Sequence, residues 1–234
     1  MYSILVLLCS IVSAQLIFEE NFDSLESLDS QSFKIKTSGT AKASLISSAN
    51  GNKAMKLDIE SNGAAFLAPN DFSPENGDFF GRFRIQTNFP NDPNFAHWIN
   101  VQFTGKGAPD LVRPVGGQLV NNQNSFGIGA DAGPTGDWTD FDPNVPATLS
   151  TRCIEFQVSA SGNFINTFFD GEDQPSLTAS KTKHSIHSGN KDAPFILPKA
   201  NAIQFGWQVF QPNSGKFTVM IDDIAIGTDR IGCN

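Results

Sequence analysis

Hydrophobic and polar positions alternate with a period of two along several short runs of the chain. Phe79-Phe80-Gly81-Arg82-Phe83-Arg84-Ile85 falls into step in its second half, and Cys153-Ile154-Glu155-Phe156-Gln157-Val158 alternates throughout. Residues 164–169 and 217–221 do the same. Side chains on a strand point to opposite faces in turn, so this pattern predicts half-buried strands. Turn clusters separate the runs: Asn50-Gly51-Asn52, Pro74-Glu75-Asn76-Gly77-Asp78, Ser161-Gly162-Asn163, Asp170-Gly171-Glu172-Asp173 and Pro212-Asn213-Ser214-Gly215. Ser161-Gly162-Asn163 reads as a hairpin turn joining two of the strands. No window carries a capped stripe at 3.6-residue spacing. Ten or so short strands without helices predict an all-β protein, a single-domain sandwich or jelly roll.

Two stretches break the pattern. Residues 105–145 are rich in Gly, Asn, Asp and Pro and suggest an irregular segment with strands of two residues at best. Long irregular segments in compact domains are commonly functional or mobile. Residues 178–193, with His184 and His187, read as a second such loop.

Composition sharpens this picture. The chain has 234 residues, 39% of them hydrophobic and only 17% charged, with 21 Phe, 20 Gly and 13 Pro. Aromatic and turn-forming residues at that level fit β structure and exclude disorder. The length suits one domain, placed at 15–234. Sixteen Lys and Arg against 24 Asp and Glu give a net charge of −8. A nucleic-acid partner is not expected, because no net basic surface is available to displace phosphate counterions.

Residues 1–14 carry no charged side chain, hold a short apolar run at 4–8 and end in Val12-Ser13-Ala14. They read as a secretory signal peptide, too short to span a membrane. The protein is therefore expected outside the cell, with no membrane partner and as a monomer. Removal of the signal takes away Cys9 and Tyr2, leaving Cys153 and Cys233 and no tyrosine. Two cysteines in an oxidising compartment predict one disulfide. No Asn-x-Ser/Thr acceptor is present.

Several constellations offer chemistry, each beside a plainer reading. His97-Trp98 opens an alternating strand after Pro90-Asn91-Asp92-Pro93; a His on a sheet face can shuttle protons near neutral pH or simply cap a neighbour. Arg113-Pro114-Val115-Gly116-Gly117-Gln118 combines a carboxylate-binding guanidinium, two glycines that permit close approach, and an amide. Its alternative is a bulged strand with a surface Arg. Gly136 to Asp142, around Trp138, can offer an aromatic platform to a sugar or plug the domain. In Gly206-Trp207-Gln208-Val209-Phe210 the period puts Gln208 and Phe210 on one face and Trp207 in the core. Asp23 and Asp222-Asp223 sit near the two ends of the chain, which jelly rolls bring side by side. With carbonyls of the Asn50–Asn52 turn they could ligate a hard cation, or be ordinary surface acids. His184-x-x-His187 has no third ligand nearby, so zinc is not expected. Serine and cysteine nucleophile motifs are absent.

Taken in order, these segments resemble a family of secreted fungal and bacterial proteins first known as cellulose-induced proteins, similar to glucuronan lyases. The resemblance runs from Glu20-Asn21-Phe22-Asp23-Ser24 through residues 50–56, Arg84-Ile85-Gln86-Thr87, His97 and residues 112–118. It continues in Cys153-Ile154-Glu155-Phe156 and Phe205-Gly206-Trp207, and ends with Asp222-Asp223-Ile224-Ala225 and Arg230 to Cys233. It implies a jelly roll whose concave grip holds an acidic polysaccharide, and a structural calcium elsewhere. The grip falls on His97, Arg113 and Gln118, with Arg84; the local reading adds Gln208, Phe210 and Trp138 as further substrate contacts. The calcium falls on Asp23, where the family usually has Glu, and on Asn50, Asn52 and Asp222. Related lyases place a tyrosine where this chain has Phe210. The implied function is uronate β-elimination with His97 as base and acid; the alternative is a carbohydrate-binding protein that kept the grip and lost the chemistry.

Overall fold

The computed structural model describes residues 15–48, 51–89, 97–106, 108–120, 123–130, 137–147, 150–183, 186–188, 195–212 and 215–233. The expected signal peptide, Asn50, the 90–93 turn and His184 lie outside these residues. The first strands are β1 (Leu16–Glu20), β2 (Phe33–Gly39), β3 (Lys42–Ser47), β4 (Lys53–Glu60) and β5 (Gly63–Pro69). A short 3-10 turn (Glu75–Gly77) precedes β6 (Phe79–Asn88), β7 (His97–Lys106), β8 (Ala108–Val120), β9 (Gln123–Ala130) and β10 (Asp137–Pro146). Then come β11 (Arg152–Ser159), β12 (Phe164–Phe169), β13 (Glu172–Asp173) and β14 (Ala179–Ser180). The chain ends with β15 (Ile186–Ser188), β16 (Lys199–Val209) and β17 (Lys216–Gly227). Among the described residues no helix is long and apolar enough to cross a membrane.

The strands form two antiparallel sheets. Sheet A runs β13-β12-β11-β6-β17-β4-β3, with β1 also paired to β17 and β14 to β12. Sheet B runs β15-β10-β9-β8-β7-β16-β5-β2. Alternation places Phe83, Ile154, Phe156, Val219 and Ile221 of sheet A against Trp98, Val101, Phe103, Phe205 and Trp207 of sheet B in one buried core. Phenylalanine rings meet edge-on across it, as Phe83 does with Phe205 at 5.9 Å. The outcome is the jelly-roll-like sandwich that the alternation predicts, with first and last strands paired as expected.

The stretch 105–145 departs from expectation, since it carries β8, β9 and β10, three central or near-edge strands of sheet B. Its core-facing positions do alternate: Val112, Val115, Leu119, Phe126, Ile128 and Ala130 are buried. Register shifts at Arg113–Gly116 and Phe141–Pro146 break the phase, and glycines occupy many intervening positions. The sequence therefore looks irregular where the ladder is continuous. The 160–163 turn joins β11 to β12, with Ser159 opposite Phe164.

Cys153 and Cys233 form a disulfide with Cα atoms 5.8 Å apart. The C-terminal segment is fastened further to the outer face of sheet A. The buried Glu155 carboxylate accepts from Arg230 Nε at 2.8 Å, Ile231 N at 2.6 Å and Gly232 N at 3.0 Å.

Candidate functional site

His97 opens β7 directly opposite Gln118 of β8. Residues opposed across an antiparallel pair share a face. Trp98, the next residue, enters the core between the sheets, so His97 and Gln118 face outward from sheet B. His97 Nε2 lies 2.6 Å from Gln118 Oε1. A carbonyl oxygen only accepts, so Nε2 carries a hydrogen in this contact. The Gln118 amide nitrogen keeps its donors. The row extends both ways: Ser125 of β9 opposes Gln118, and Phe210, just past β16, donates its N–H to the His97 carbonyl at 3.3 Å. Gln211 Oε1 accepts from the His97 backbone N–H at 2.7 Å, which fixes the start of β7. Phe210 is 36% exposed, one of few large apolar side chains at the surface among the described residues.

A second row runs alongside. Gln208 opposes Ile99 of β7 and Ala64 of β5, and Gly116 opposes Ile99. Ile99, Ala64 and Phe66 form a small buried cluster apart from the main core. Arg113 opposes Gly129 on the same outward face. Register shifts fall together here, at 99–101 of β7, 113–116 of β8 and 205–208 of β16. Bulges re-aim side chains and are common next to functional sites. The paired glycines have local reasons. A Cβ on Gly117 would sit 2.3 Å from the Trp98 ring, and one on Gly116 would sit 2.7 Å from the Trp98 carbonyl oxygen. Trp98 stacks on Trp207, centroids 5.6 Å apart, so a rigid aromatic pair underlies the rows carrying His97 and Gln208.

Polar atoms in these strands lack partners. Asn100 is fully buried with both amide atoms unpaired, and Gln102 Oε1 and Ser125 Oγ are buried without a hydrogen bond. Such atoms each cost about 1–3 kcal/mol unless a water or ligand reaches them. Ser125 and Gln211 escape sequence reading, because no motif marks them and only the register and the bond to the His97 N–H bring them to the row.

The sequence-based set does not all gather here. His97, Gln118, Arg113, Gln208 and Phe210 share the outer face of sheet B. Arg84 does not. It alternates with Phe83 and Ile85, which face the core from β6 of sheet A, so it points to the far side of the molecule. There it pairs with Asp223 at 2.7 Å and donates to the Cys233 carbonyl at 3.2 Å. Its expected role as a substrate contact is corrected on that ground. Trp138 stands on β10 opposite Ala130, and its side chain lies outside the described residues, as does that of His187.

Asp23 and Asp222 meet where β17 changes partner. β17 pairs with β4 through Ile221 and with β1 from Ile224, and Asp223 between them takes a positive φ of 49°. Asp23 Oδ1 accepts from Lys53 N at 2.7 Å, and Asp222 Oδ1 from Asp223 N at 2.8 Å. Burial, with the Asp223 and Asp23 charges, pushes the Asp222 carboxyl up to about 6 against the Asp223 N–H and Arg84. Crowded carboxylates of this kind are oxygen donors suited to a hard cation. The Asn52 carbonyl accepts from Ser48 N and Oγ, closing the adjacent turn. Among the described residues no three His, Cys, Asp or Glu side chains converge in metal-holding geometry, so any cation here needs backbone oxygens as well.

Comparison with known families matches residues 18–229 to the polysaccharide lyase-like family described as "Cip1-like, core domain". The chain belongs to that family. Among solved structures it is similar to one titled "Cellulose induced protein, Cip1", at 21% identity and TM-score 0.66, over 93% of this chain and 100% of that one. It is also similar to a structure titled "Sialidase", at 10% identity and TM-score 0.59, over 92% of this chain but 19% of that one. A third, from work on endo-acting O-glycanases of the human gut microbiota that initiate mucin breakdown, gives 11% identity and TM-score 0.57. It is covered in full by 92% of this chain. At these identities the likeness speaks to the fold. No curated protein matches.

Proposed function

We propose that the outer face of sheet B binds a uronate-containing polysaccharide and that the chain cleaves it by β-elimination. The observation that carries this reading is the His97–Gln118 hydrogen bond across β7 and β8, on the face that Arg113 shares. Family membership supports carbohydrate as the ligand class. In the proposed step, Arg113 and the Gln118 amide N–H groups hold the uronate carboxylate and stabilise the charge that develops at C5. His97 Nδ1 takes the C5 proton. The C5–H electron pair becomes the C4=C5 double bond, the C4–O4 bond breaks, and the imidazolium returns its proton to O4.

A second reading has its own observation. Residues 15–234 contain no tyrosine, and an exposed Phe210 stands beside His97, where related lyases carry the phenol. On that reading the chain binds the polymer without cutting it. Ultraviolet absorbance of the unsaturated uronate product separates the two on glucuronan, alginate and pectin. Product formation supports the lyase; retention on the polymers with no product supports the binding protein.

Two further proposals accompany this one. A calcium ion is held by Asp23, Asp222 and oxygens of Asn50 and Asn52, on the sheet A side, where it would screen the crowded carboxylates. The protein works outside the cell, which the Cys153–Cys233 disulfide favours.

A further inference from the structure

We propose that the outer face of sheet A carries a second carbohydrate site, a depression over β3, β4 and β17 that takes a neutral sugar unit of the polymer. This rests on the polysaccharide reading of the His97 face. Alternation along these strands sends Leu57, Ile59, Phe217 and Val219 into the core and leaves Lys42, Asp58, Glu60, Lys216 and Thr218 outward. Register sets them side by side: Lys42 opposes Asp58, Lys216 opposes Glu60, and Thr218 opposes Asp58. Thr40 closes the rim. Its N–H donates to the Asn62 carbonyl at 3.2 Å, and its hydroxyl reaches the Asn62 carbonyl at 2.9 Å and that of Glu60. Thr40, Lys42, Asp58, Glu60 and Lys216 line a depression of about 360 Å³. That lies at the small end of ligand sites, roughly 300–1,000 Å³.

The charges point to the kind of ligand. On the floor, Asp58 is already served by Lys56 at 3.0 Å, Lys216 at 3.1 Å and Thr218 at 2.9 Å. On the rim, the exposed Lys42 ammonium and Glu60 carboxylate have no hydrogen bond or ion pair among the described residues. The lining holds Lys42 and Lys216 against Asp58 and Glu60, so its charge cancels. An ammonium only donates and a carboxylate only accepts. Neighbouring hydroxyls of one sugar do both, so a diol can accept from Lys42 while donating to Glu60. The Thr40 hydroxyl, its hydrogen given to carbonyls, adds an acceptor. The His97 row belongs to the outer face of the other sheet. In a matrix of many polymer strands, a site on each face engages different strands, and retention exceeds what either site gives alone.

The test is a two-dimensional amide NMR titration of the isotope-labelled protein. The probes are neutral β-1,4-linked hexasaccharides of glucose, mannose and xylose, an oligoglucuronate, and glycine. The amides of Thr40, Lys42, Glu60 and Lys216 should shift with a neutral hexasaccharide. The affinity is expected near about 1 mM, and salt should change it by no more than about twofold, because the ligand is uncharged. Lys42→Met and Glu60→Gln should each weaken that binding about fivefold, since each removes a hydrogen bond to a charged group. Both side chains are exposed and unpaired, so Tm and the shifts of the His97-face amides should stay as in wild type. Shifts confined to the His97 face overturn the inference and leave the polysaccharide reading intact. Variants that bind like wild type overturn it as well. So do shifts at the depression with glycine or oligoglucuronate and none with the neutral hexasaccharides, which would make the ligand a zwitterion or an anion. If no saccharide moves any amide, the polysaccharide reading falls too.

Discussion

The outer faces of the two sheets are built from the same alternating strands and treat their polar groups in opposite ways. On sheet A, Glu155 is fully buried yet accepts hydrogen bonds from Arg230 and from the N–H groups of Ile231 and Gly232. Arg230 lies over the Phe168 ring at 4.0 Å, and Arg82 and Arg84 reach carbonyls of the same C-terminal segment. Arg152 Nε is a buried exception. On sheet B, Asn100, Gln102 and Ser125 keep buried polar atoms unpaired, and an aromatic ring stands exposed beside a histidine. One face closes its hydrogen bonds within the chain and gains stability. The other holds buried amide and hydroxyl atoms with no partner within the chain, each a cost to stability unless water or a ligand reaches it.

That contrast can be broken by mutation and chemistry, beginning with the largest effect. Reducing the disulfide opens a loop with a sequence separation of 80, for which the chain-entropy relation gives about 4 kcal/mol. Thermal unfolding with and without reductant checks it, and an unchanged Tm goes against the expectation. Glu155→Gln should cost about 1–3 kcal/mol, because both carboxylate oxygens accept hydrogen bonds and the amide NH2 would face a donor at a buried site. Denaturant titration showing a loss below about 1 kcal/mol contradicts that role. Ser125→Ala is the counterpart on sheet B. Removing an unpaired buried hydroxyl should leave stability unchanged or raise it by about 1 kcal/mol, while weakening polymer binding. A clear destabilisation would mean that Ser125 is already satisfied in the free protein.

Two smaller effects lie on sheet A. Chelator should lower the Tm if calcium occupies the Asp23–Asp222 site, because the ion binds only the folded state, and Asp222→Ala should remove that sensitivity. An unmoved melting curve for wild type rejects the ion. Asp58 is partly buried, which opposes ionisation, but hydrogen bonds from Lys56, Lys216 and Thr218 outweigh this and hold its carboxyl below the ordinary range. Its folded pKa is depressed, so its contribution is present above the unfolded pKa and is lost as pH falls through the folded value. Asp58→Asn should therefore make the acid limb of the stability curve shallower. The change should stay within about 1 kcal/mol, because solvent screens this half-exposed cluster.

How far the sequence reveals this architecture depends on which residues alternate. β6, β11, β12 and β17 are legible because large apolar side chains mark every second position. β8 to β10 are not, since bulges shift the phase and glycines blank the outward face. Alternation tells which side of its own strand Arg84 occupies without telling which sheet that strand joins, so it cannot check the grouping with His97 that the family resemblance implies. The disulfide follows from counting cysteines once the expected leader is set aside. The His97–Gln118 pairing spans 21 residues and no local signal links them, so only family resemblance brings them together beforehand. Ser125 and Gln211 become visible only with the register and the His97 hydrogen bond in hand.

The central claim is that the His97–Gln118 row is the working site and contributes little to holding the fold. Turnover by His97→Ala, measured as unsaturated-uronate release together with polymer affinity and Tm, tests it most directly. A positioned base contributes roughly 10²- to 10⁴-fold, so turnover should fall by about that factor while affinity and Tm stay close to wild type. Turnover within a few-fold of wild type, or a loss that merely tracks a lowered Tm, contradicts the account.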